Sequence, residues 1–335
     1  MKMTVNLSGG SYDIIIERGV LSRVEELLNL DRKVLIVTDD NVPKEYSESV
    51  AKKSLHPVTV VLPNGEGTKC LDSYKLLLEK MVTESFTRSD CVVAVGGGVI
   101  GDLAGFVASS FMRGVDFYNI PTTLLAQVDS SIGGKVAIDF MGYKNIVGAF
   151  YQPKRVIIDA DTLKTLPYRQ IANGLAESVK MALTSDSELF GIFENDNIAD
   201  NIDKIIEASL IIKKGVVEQD EKESNLRKIL NFGHTVAHGI ESDSEMQEWY
   251  HGECVAVGML PMCSEEVRLK LIKVLNKIGL PTEIKCDAKR VIKAMSHDKK
   301  MSGDKITVVT VEKVGSFKME EIPFKILSER IEEVL

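Results

Sequence analysis

The sequence contains no C-x-x-C pair and no block of lysine and arginine, and it has a single tryptophan and only nine prolines against 25 glycines. The five cysteines, Cys70, Cys91, Cys254, Cys263 and Cys286, are odd in number and scattered, which excludes a disulfide framework and fits a reducing compartment. Without a basic run, and with a net charge of −8, the chain lacks what neutralises a phosphate backbone, so nucleic acid is not an expected partner. Local basic pockets for small anions stay open. The first residues, Met1-Lys2-Met3-Thr4-Val5-Asn6, form no apolar core of a secretory signal, and a cytoplasmic location is expected. The most apolar segment, Cys91 to Met112, carries Asp102 at its middle and a glycine cluster, both costly in lipid; it reads as a buried strand, turn and helix rather than a membrane span.

What remains is an ordinary globular composition, 44% hydrophobic and 27% charged over 335 residues. At roughly 150 residues per domain this length suggests two domains. The first half alternates short apolar runs (Lys33–Thr38, Val58–Leu62, Cys91–Val95, Tyr118–Pro121, Arg155–Asp159) with helical stretches, the pattern of a mostly parallel sheet covered on both faces. Beyond about Asp161 the periodicity turns helical over Leu163–Leu183, Ile198–Val217, Leu226–Glu241, Glu253–Lys277 and Lys289–Met295, and Lys305–Phe317 reads as a hairpin turning at Val314-Gly315-Ser316. The expected architecture is therefore an α/β nucleotide-binding domain over 1–160 followed by a mainly α-helical metal- and substrate-binding domain over 161–335.

Gly96-Gly97-Gly98-Val99-Ile100-Gly101 matches G-x-G-x-x-G directly after a strand and at the start of a helix, where bare backbone and a helix N-terminus suit a pyrophosphate. Alone it is equally the mark of a tight strand-to-helix turn. Its company gives it weight: Asp39 and Asn41, Pro63 to Lys69, and Thr122-Thr123 all follow strands, and that edge of an open α/β sheet is where nucleotides bind. Ser130 to Lys135 and Lys144-Asn145 read as a second glycine-rich, lysine-bearing loop for a phosphate or polyol, without P-loop spacing. In the helical half, Glu177 and Lys180 stand three apart on one helix face, which by spacing alone is a surface ion pair. His234 and His238 share a helix face, and His251 and Glu253 follow closely. That is a divalent-metal constellation in which spacing leaves open which three of the four side chains bind. Lys213, Arg227 and His297-Asp298-Lys299-Lys300 add cations that, by charge alone, are solvated surface residues.

Taken jointly, Gly96 to Asp102, Pro121 to Lys135, Gly174-Leu175-Ala176-Glu177, Leu230 to Thr235 and His251-Gly252-Glu253 resemble the signature segments of the 3-dehydroquinate synthase family, the match reaching from Asp39 to Lys300. The resemblance implies a lyase of the shikimate pathway, serving aromatic amino acid biosynthesis, that needs NAD and zinc, with cobalt also suiting the ligands. It implies conversion of 3-deoxy-D-arabino-heptulosonate 7-phosphate to 3-dehydroquinate and phosphate by transient oxidation, phosphate elimination, re-reduction and aldol closure. It implies Glu177, His234 and His251 as metal ligands. His238 is then left either as a group behind the metal ligands or as a proton-transfer group near the substrate, and Lys135, Asn145, Lys180, Lys213, Arg227, Asn231, Asp129 and one of Lys299 and Lys300 lie at substrate or catalytic positions. Arg113 matches an arginine reaching the neighbouring subunit of a homodimer. For NAD it implies Asp39, Asn41, Glu66, Lys69, Gly97, Gly98, Asp102, Thr122, Thr123, Lys135, Lys144, Thr162 and Thr165. The chain departs from the family with Ala237 where glycine is usual and Gly239 where alanine is usual, so helix packing beside the site is expected to differ slightly.

Three rivals are separable. Another NAD- and metal-dependent sugar-phosphate cyclase would share the chemistry, but Lys213 and Arg227 stand where the resemblance implies a carboxylate is met. A glycerol-dehydrogenase-like polyol dehydrogenase would release NADH steadily. A scaffold that has lost catalysis would not be expected to keep the Glu/His/His set.

Overall fold

The computed structural model describes residues 1–242, 249–295, 301–302 and 305–334. They fall into two compact units, Met1–Leu166 and Pro167–Leu335.

The first unit is built on a seven-stranded sheet. Its strands are β1 (Lys2–Leu7), β2 (Gly10–Ile16), β3 (Lys33–Asp39), β4 (His56–Leu62), β5 (Cys91–Gly96), β6 (Asp116–Pro121) and β9 (Arg155–Ile158), in the order β1-β2-β9-β6-β5-β3-β4. Only β1 and β2 pair antiparallel. Alternate residues of the apolar runs face opposite layers. Leu35, Val37, Val92 and Ala94 join α2 (Leu71–Thr83) and α3 (Gly98–Ser110), while Val34, Ile36, Val93 and Val95 join α1 (Lys44–Lys53) and the 3-10 turn Val20–Glu26. Burial on both faces is why these strands read as continuous apolar runs. The chain runs outward from β3 to β4, then returns to lay β5 on the other side of β3. Strand order therefore reverses between β3 and β5, and the carboxyl ends there carry Asp39 and the Gly96-Gly97-Gly98 turn.

The expected loop around Ser130–Asn145 is instead an antiparallel ribbon, β7 (Lys135–Phe140) and β8 (Tyr143–Phe150), with an irregularity between Ile138 and Phe140. Val136 and Ile138 of β7 are buried, whereas β8 is exposed along almost its whole length. A strand exposed on both faces has no burial pattern to betray it.

The second unit contains α4 (Tyr168–Ser185), α5 (Ser187–Asn195), α6 (Ile198–Gln219), α7 (His234–Glu241), α8 (His251–Met259), α9 (Glu265–Lys277), α10 (Ala288–Met295) and α11 (Phe324–Glu332). It also contains a small sheet of β10 (Met301–Ser302), β11 (Lys305–Thr310) and β12 (Lys318–Pro323). Three expected helices are broken. The first begins as a 3-10 turn over Ala160–Thr165 and resumes beyond Pro167. Leu226–Asn231 is also 3-10, and Gly233, at φ +76°, ends it before α7 starts. Pro261 stops the chain from continuing beyond α8, and Ser264, accepting from Val267 N, caps α9. The hairpin is present with a longer connection, since β12 starts only at Lys318. Among the described residues no helix is long and apolar enough to cross a membrane.

Candidate active site

In the first unit, the turn after β5 holds its glycines for steric reasons. A Cβ at Gly97 would lie 3.0 Å from Thr123 Cγ2, and one at Gly98 3.0 Å from Ser130 Oγ. Thr122 N donates to Gly96 O at 3.0 Å, tying the ends of β6 and β5 together beside the start of α3. Asp39 ends β3, where its carboxylate accepts Asn41 N at 3.0 Å and burial pushes its pKa up. Lys69 is buried, with Nζ 2.7 Å from Glu66, 3.5 Å from Asp102 and 3.9 Å from Asp139. Burial opposes its charge, but Asp102 and Glu66 outweigh that and hold the ammonium above its usual pKa.

Other expected NAD positions are differently placed. The Thr162 hydroxyl is turned inward, donating to Asp159 O at 2.8 Å and accepting from Gln127 Nε2 at 3.0 Å. Thr165 Oγ1 lies 3.0 Å from the Tyr46 hydroxyl. Gln127, fully buried on the π-helical turn Ala126–Ser130, also donates to Pro121 O and Asp159 O, and sequence reasoning missed it. The same turn carries Asp129. Lys135 opens β7, and Lys144 and Asn145 lie on exposed β8, where Asn145 takes φ +55° and its N–H donates to Asp139 at 2.7 Å. Arg113 is exposed and follows Met112, both in the left-handed region at φ +68° and +49°.

In the second unit, Glu177 and Lys180 are not the surface pair their spacing suggests. Helix α4 is buried from Ala172 to Thr184, Glu177 is 0% and Lys180 2% exposed, and the two charges are in direct contact. Helix α8 reaches this carboxylate because Gly252 lets it abut α4. Gly252 N donates to Asn173 Oδ1 at 2.6 Å, and a Cβ at Gly252 would fall 2.1 Å from Asn173 O. His251 Nε2 thereby lies 3.4 Å, and His234 Nε2 3.7 Å, from Glu177 Oε1. The ligand atoms of Glu177, His234 and His251 all lie within 4.8 Å of one another.

Each imidazole is oriented from its far side. His234 Nδ1 faces Phe232 O at 3.1 Å, and His251 Nδ1 faces Glu241 Oε1 at 2.7 Å. Burial and Lys180 keep the His234 pKa well below its ordinary value. For His251 burial is outweighed by Glu177 and Glu241, and its pKa is pushed up to about 10. Glu177, despite burial, is held well below the usual carboxylate range by Lys180 and the two histidines. Both its oxygens are buried without a hydrogen-bond partner of good geometry. A desolvated carboxylate beside two imidazole nitrogens is a donor set that a divalent cation fits.

Spacing alone left four candidates for the metal, and geometry removes two. Glu253 is engaged by Arg169 at 2.7 and 2.8 Å and accepts Tyr250 N at the start of α8. His238, one turn after His234 and edge-on to it at 5.6 Å, is exposed and outside the triad. Lys213 and Arg227 are 5% and 2% exposed, so neither is the solvated cation its charge suggests. Arg227 sits on a loop gathered by Asp220, whose carboxylate accepts from Ser224 N, Ser224 Oγ, Asn225 N and Arg227 N at 2.7 to 3.0 Å. Asn231 Nδ2 donates to Glu223 at 2.7 Å. Asp220, Glu223 and Glu241 were missed by sequence reasoning. Lys299 and Lys300, with His297, lie outside the described residues.

A family model described as 3-dehydroquinate synthase N-terminal matches residues 59–173, and one described as 3-dehydroquinate synthase C-terminal matches 174–301. A 3-dehydroquinate synthase of Enterococcus faecalis is 41% identical over 344 aligned residues, covering 96% of each chain. The chain belongs to the 3-dehydroquinate synthase family. Among solved structures, a 2-deoxy-scyllo-inosose synthase in complex with carbaglucose-6-phosphate, NAD+ and Co2+ superposes with a TM-score of 0.90 at 25% identity, covering 100% of both chains. A 2-epi-5-epi-valiolone synthase of Streptomyces hygroscopicus with NAD+ and Zn2+ gives 0.87 at 23%, covering 96% of both. Both share the fold, and the higher identity to dehydroquinate synthases places the chain in that branch.

The two departures from the family pattern meet at α7. A Cβ at Gly239 would lie 2.8 Å from Val291 Cγ1 and 3.0 Å from Met295 Cγ, so its absence sets how closely α10 approaches.

Proposed function

We propose that this chain is a 3-dehydroquinate synthase, a carbon–oxygen lyase that converts 3-deoxy-D-arabino-heptulosonate 7-phosphate to 3-dehydroquinate and phosphate in the shikimate pathway, with NAD and a divalent metal. The observation that carries the reading is the Glu177–His234–His251 donor set around a fully buried carboxylate, with Lys180 against it, in a chain 41% identical to such a synthase along nearly its whole length. Glu177, His234 and His251 would hold the metal, with zinc the expected ion and cobalt suiting the same ligands. A metal here supplies Lewis acidity toward a substrate oxygen, and NAD supplies a reversible hydride acceptor.

The remaining roles belong to the chain. Lys180, Lys213 and Arg227 are cations held away from water, where attraction to an anionic substrate is screened least. Lys213 and Arg227 are assigned to its carboxylate. Asn231, Lys135, Asn145 and Asp129 are assigned to its hydroxyl and phosphate groups, together with one of Lys299 and Lys300. His238, exposed beside the triad, is the proton-transfer group. In the first unit the switch point between β3 and β5 would take the nucleotide, with Asp39 toward the ribose and the N-terminus of α3 toward the pyrophosphate.

We also propose a cytoplasmic homodimer. The homodimer's support is the ribbon: Phe140 at the end of β7 and Tyr143, Ile146 and Phe150 on the little-covered β8 are 40 to 69% exposed, a surface that a second copy fits. Arg113, presented on a left-handed turn, would reach the partner's site.

The deciding measurement follows phosphate release from 3-deoxy-D-arabino-heptulosonate 7-phosphate and NADH absorbance in one cuvette, with NAD and Zn2+ present. Phosphate released without NADH build-up, and abolished by chelation, is the expected result. NADH accumulating with simple polyols, and no phosphate, would move the chain to the dehydrogenases of the same fold.

A further inference from the structure

We propose that Glu241 is a positioning residue for the metal centre: it fixes the tautomer of His251 and supplies the negative charge that Lys180 takes away from Glu177. The proposal rests on the metal-dependent reading above and extends it to a residue outside the ligand set.

Position comes first. Glu241 is the last residue of α7, seven after His234 and three after His238, so an ideal helix returns it to almost the same face two turns on. One helix thus holds one ligand, His234, and steers another, His251 of α8. Glu241 Oε1 lies 2.7 Å from His251 Nδ1, and the carboxylate side chain is 9% exposed. An ionised carboxylate only accepts, so this contact keeps a hydrogen on Nδ1, and the proton that a metal would displace is the one on Nε2, which faces the triad 3.4 Å from Glu177 Oε1. For His234 the same task falls to a backbone carbonyl, Phe232 O, which no side-chain substitution removes. His251 alone depends on a side chain for its orientation.

The charges give the second reason. The donor set contains one anion, Glu177, and the Lys180 ammonium touches it. Two neutral imidazoles and a neutralised carboxylate leave a divalent ion's charge poorly compensated in a buried site. Glu241 stands one imidazole away and restores a negative charge, delivered through the ring as greater basicity at Nε2.

The test uses the full chain stripped of metal. Zn2+ is titrated into the parent, Glu241→Ala and Glu241→Gln, with the visible spectrum of bound Co2+ as a second readout and 15N histidine NMR reporting the His251 tautomer. Glu241→Ala is expected to weaken Zn2+ binding about 10- to 100-fold, to shift the Co2+ bands and to release the tautomer. Glu241→Gln is expected to lose less, since its amide oxygen still accepts from Nδ1, and it keeps the test open if the alanine variant fails to fold. Parent-like Zn2+ affinity in either variant overturns the inference while leaving the metal-dependent reading standing. Equal losses in both variants with an unaltered Co2+ spectrum also overturn it, because a merely structural role gives that result. A parent chain that binds neither ion overturns both readings.

Discussion

A carboxylate and an ammonium excluded from water in direct contact, as Glu177 and Lys180 are, depend on each other far more than a surface pair does. Glu177→Ala strands Lys180 in a buried position, and a loss of about 3–5 kcal/mol in chemical denaturation is expected, together with loss of metal uptake. Lys180→Met removes the other half. That variant is expected to be destabilised in chelator and restored by saturating Zn2+, which calorimetry with and without metal would show. His251 adds a pH dependence. Its pKa of about 10 without metal means that metal uptake at neutral pH must displace one proton, so apparent affinity should fall about tenfold for each unit that pH is lowered below that value. Titration calorimetry in buffers of different ionisation enthalpy would count the proton, and an affinity flat from pH 6.5 to 8.5 would refute the assignment. Asp220 behaves in the opposite sense. Burial raises its pKa, but donors from Arg227, Asn225 and Ser224 outweigh that and hold it below the usual range. Its contribution is therefore complete above the unfolded value of about 3.9 and is lost as pH falls through the folded one. The stability gap between the parent and Asp220→Asn should be constant above about pH 5 and close in strong acid.

At the scale of elements, the site is a matter of how closely three helices approach. Gly252→Ala would press a methyl group against Asn173 O and push α8 off α4, carrying His251 away from Glu177. Overpacking of this kind costs about 1–3 kcal/mol, and metal affinity should fall with it, as a Zn2+ titration of the variant would show. The same elements explain what the sequence revealed and what it hid. Strands β3 and β5 were legible because both faces are buried and their middles, Val34–Val37 and Cys91–Val95, are unbroken apolar runs. Strand β8 was not, because exposure on both faces leaves no period to find. Helix α4 misled in another way: its Glu177 and Lys180 follow surface-pair spacing, yet the whole segment is enclosed. Glu253 looked like a ligand by proximity in sequence, and only the placement of Arg169 on α4 shows where its carboxylate is engaged. Glu177 itself lies far upstream of the histidines, so no local spacing could join it to them, and the resemblance supplied it. Glu241 escaped because what it touches is a histidine on the next helix rather than a metal.

At the scale of the whole molecule, the exposed ribbon makes the proposed dimer testable. Replacing Ile146 or Phe150 with lysine puts charge on the face that a second copy would cover, and light scattering should then show monomers where the parent is dimeric. If Arg113 serves the partner's site, activity should fall with dissociation even though Glu177, His234 and His251 are untouched. A monomeric parent would remove that role from Arg113.

The contact between Lys180 and Glu177 also bears on the order of events in the cell. A metal domain whose ligands repel one another, or that has no core without its ion, must be loaded in order to fold. Here Lys180, together with a protonated His251, already balances the buried carboxylate, and the surrounding helices have an apolar core of their own. The polypeptide can therefore finish folding on the ribosome's schedule and acquire its ion afterwards from whatever the metal supply offers. Chelator-treated protein should keep its helical circular dichroism and a cooperative melt, and regain activity on adding Zn2+ without passing through denaturant.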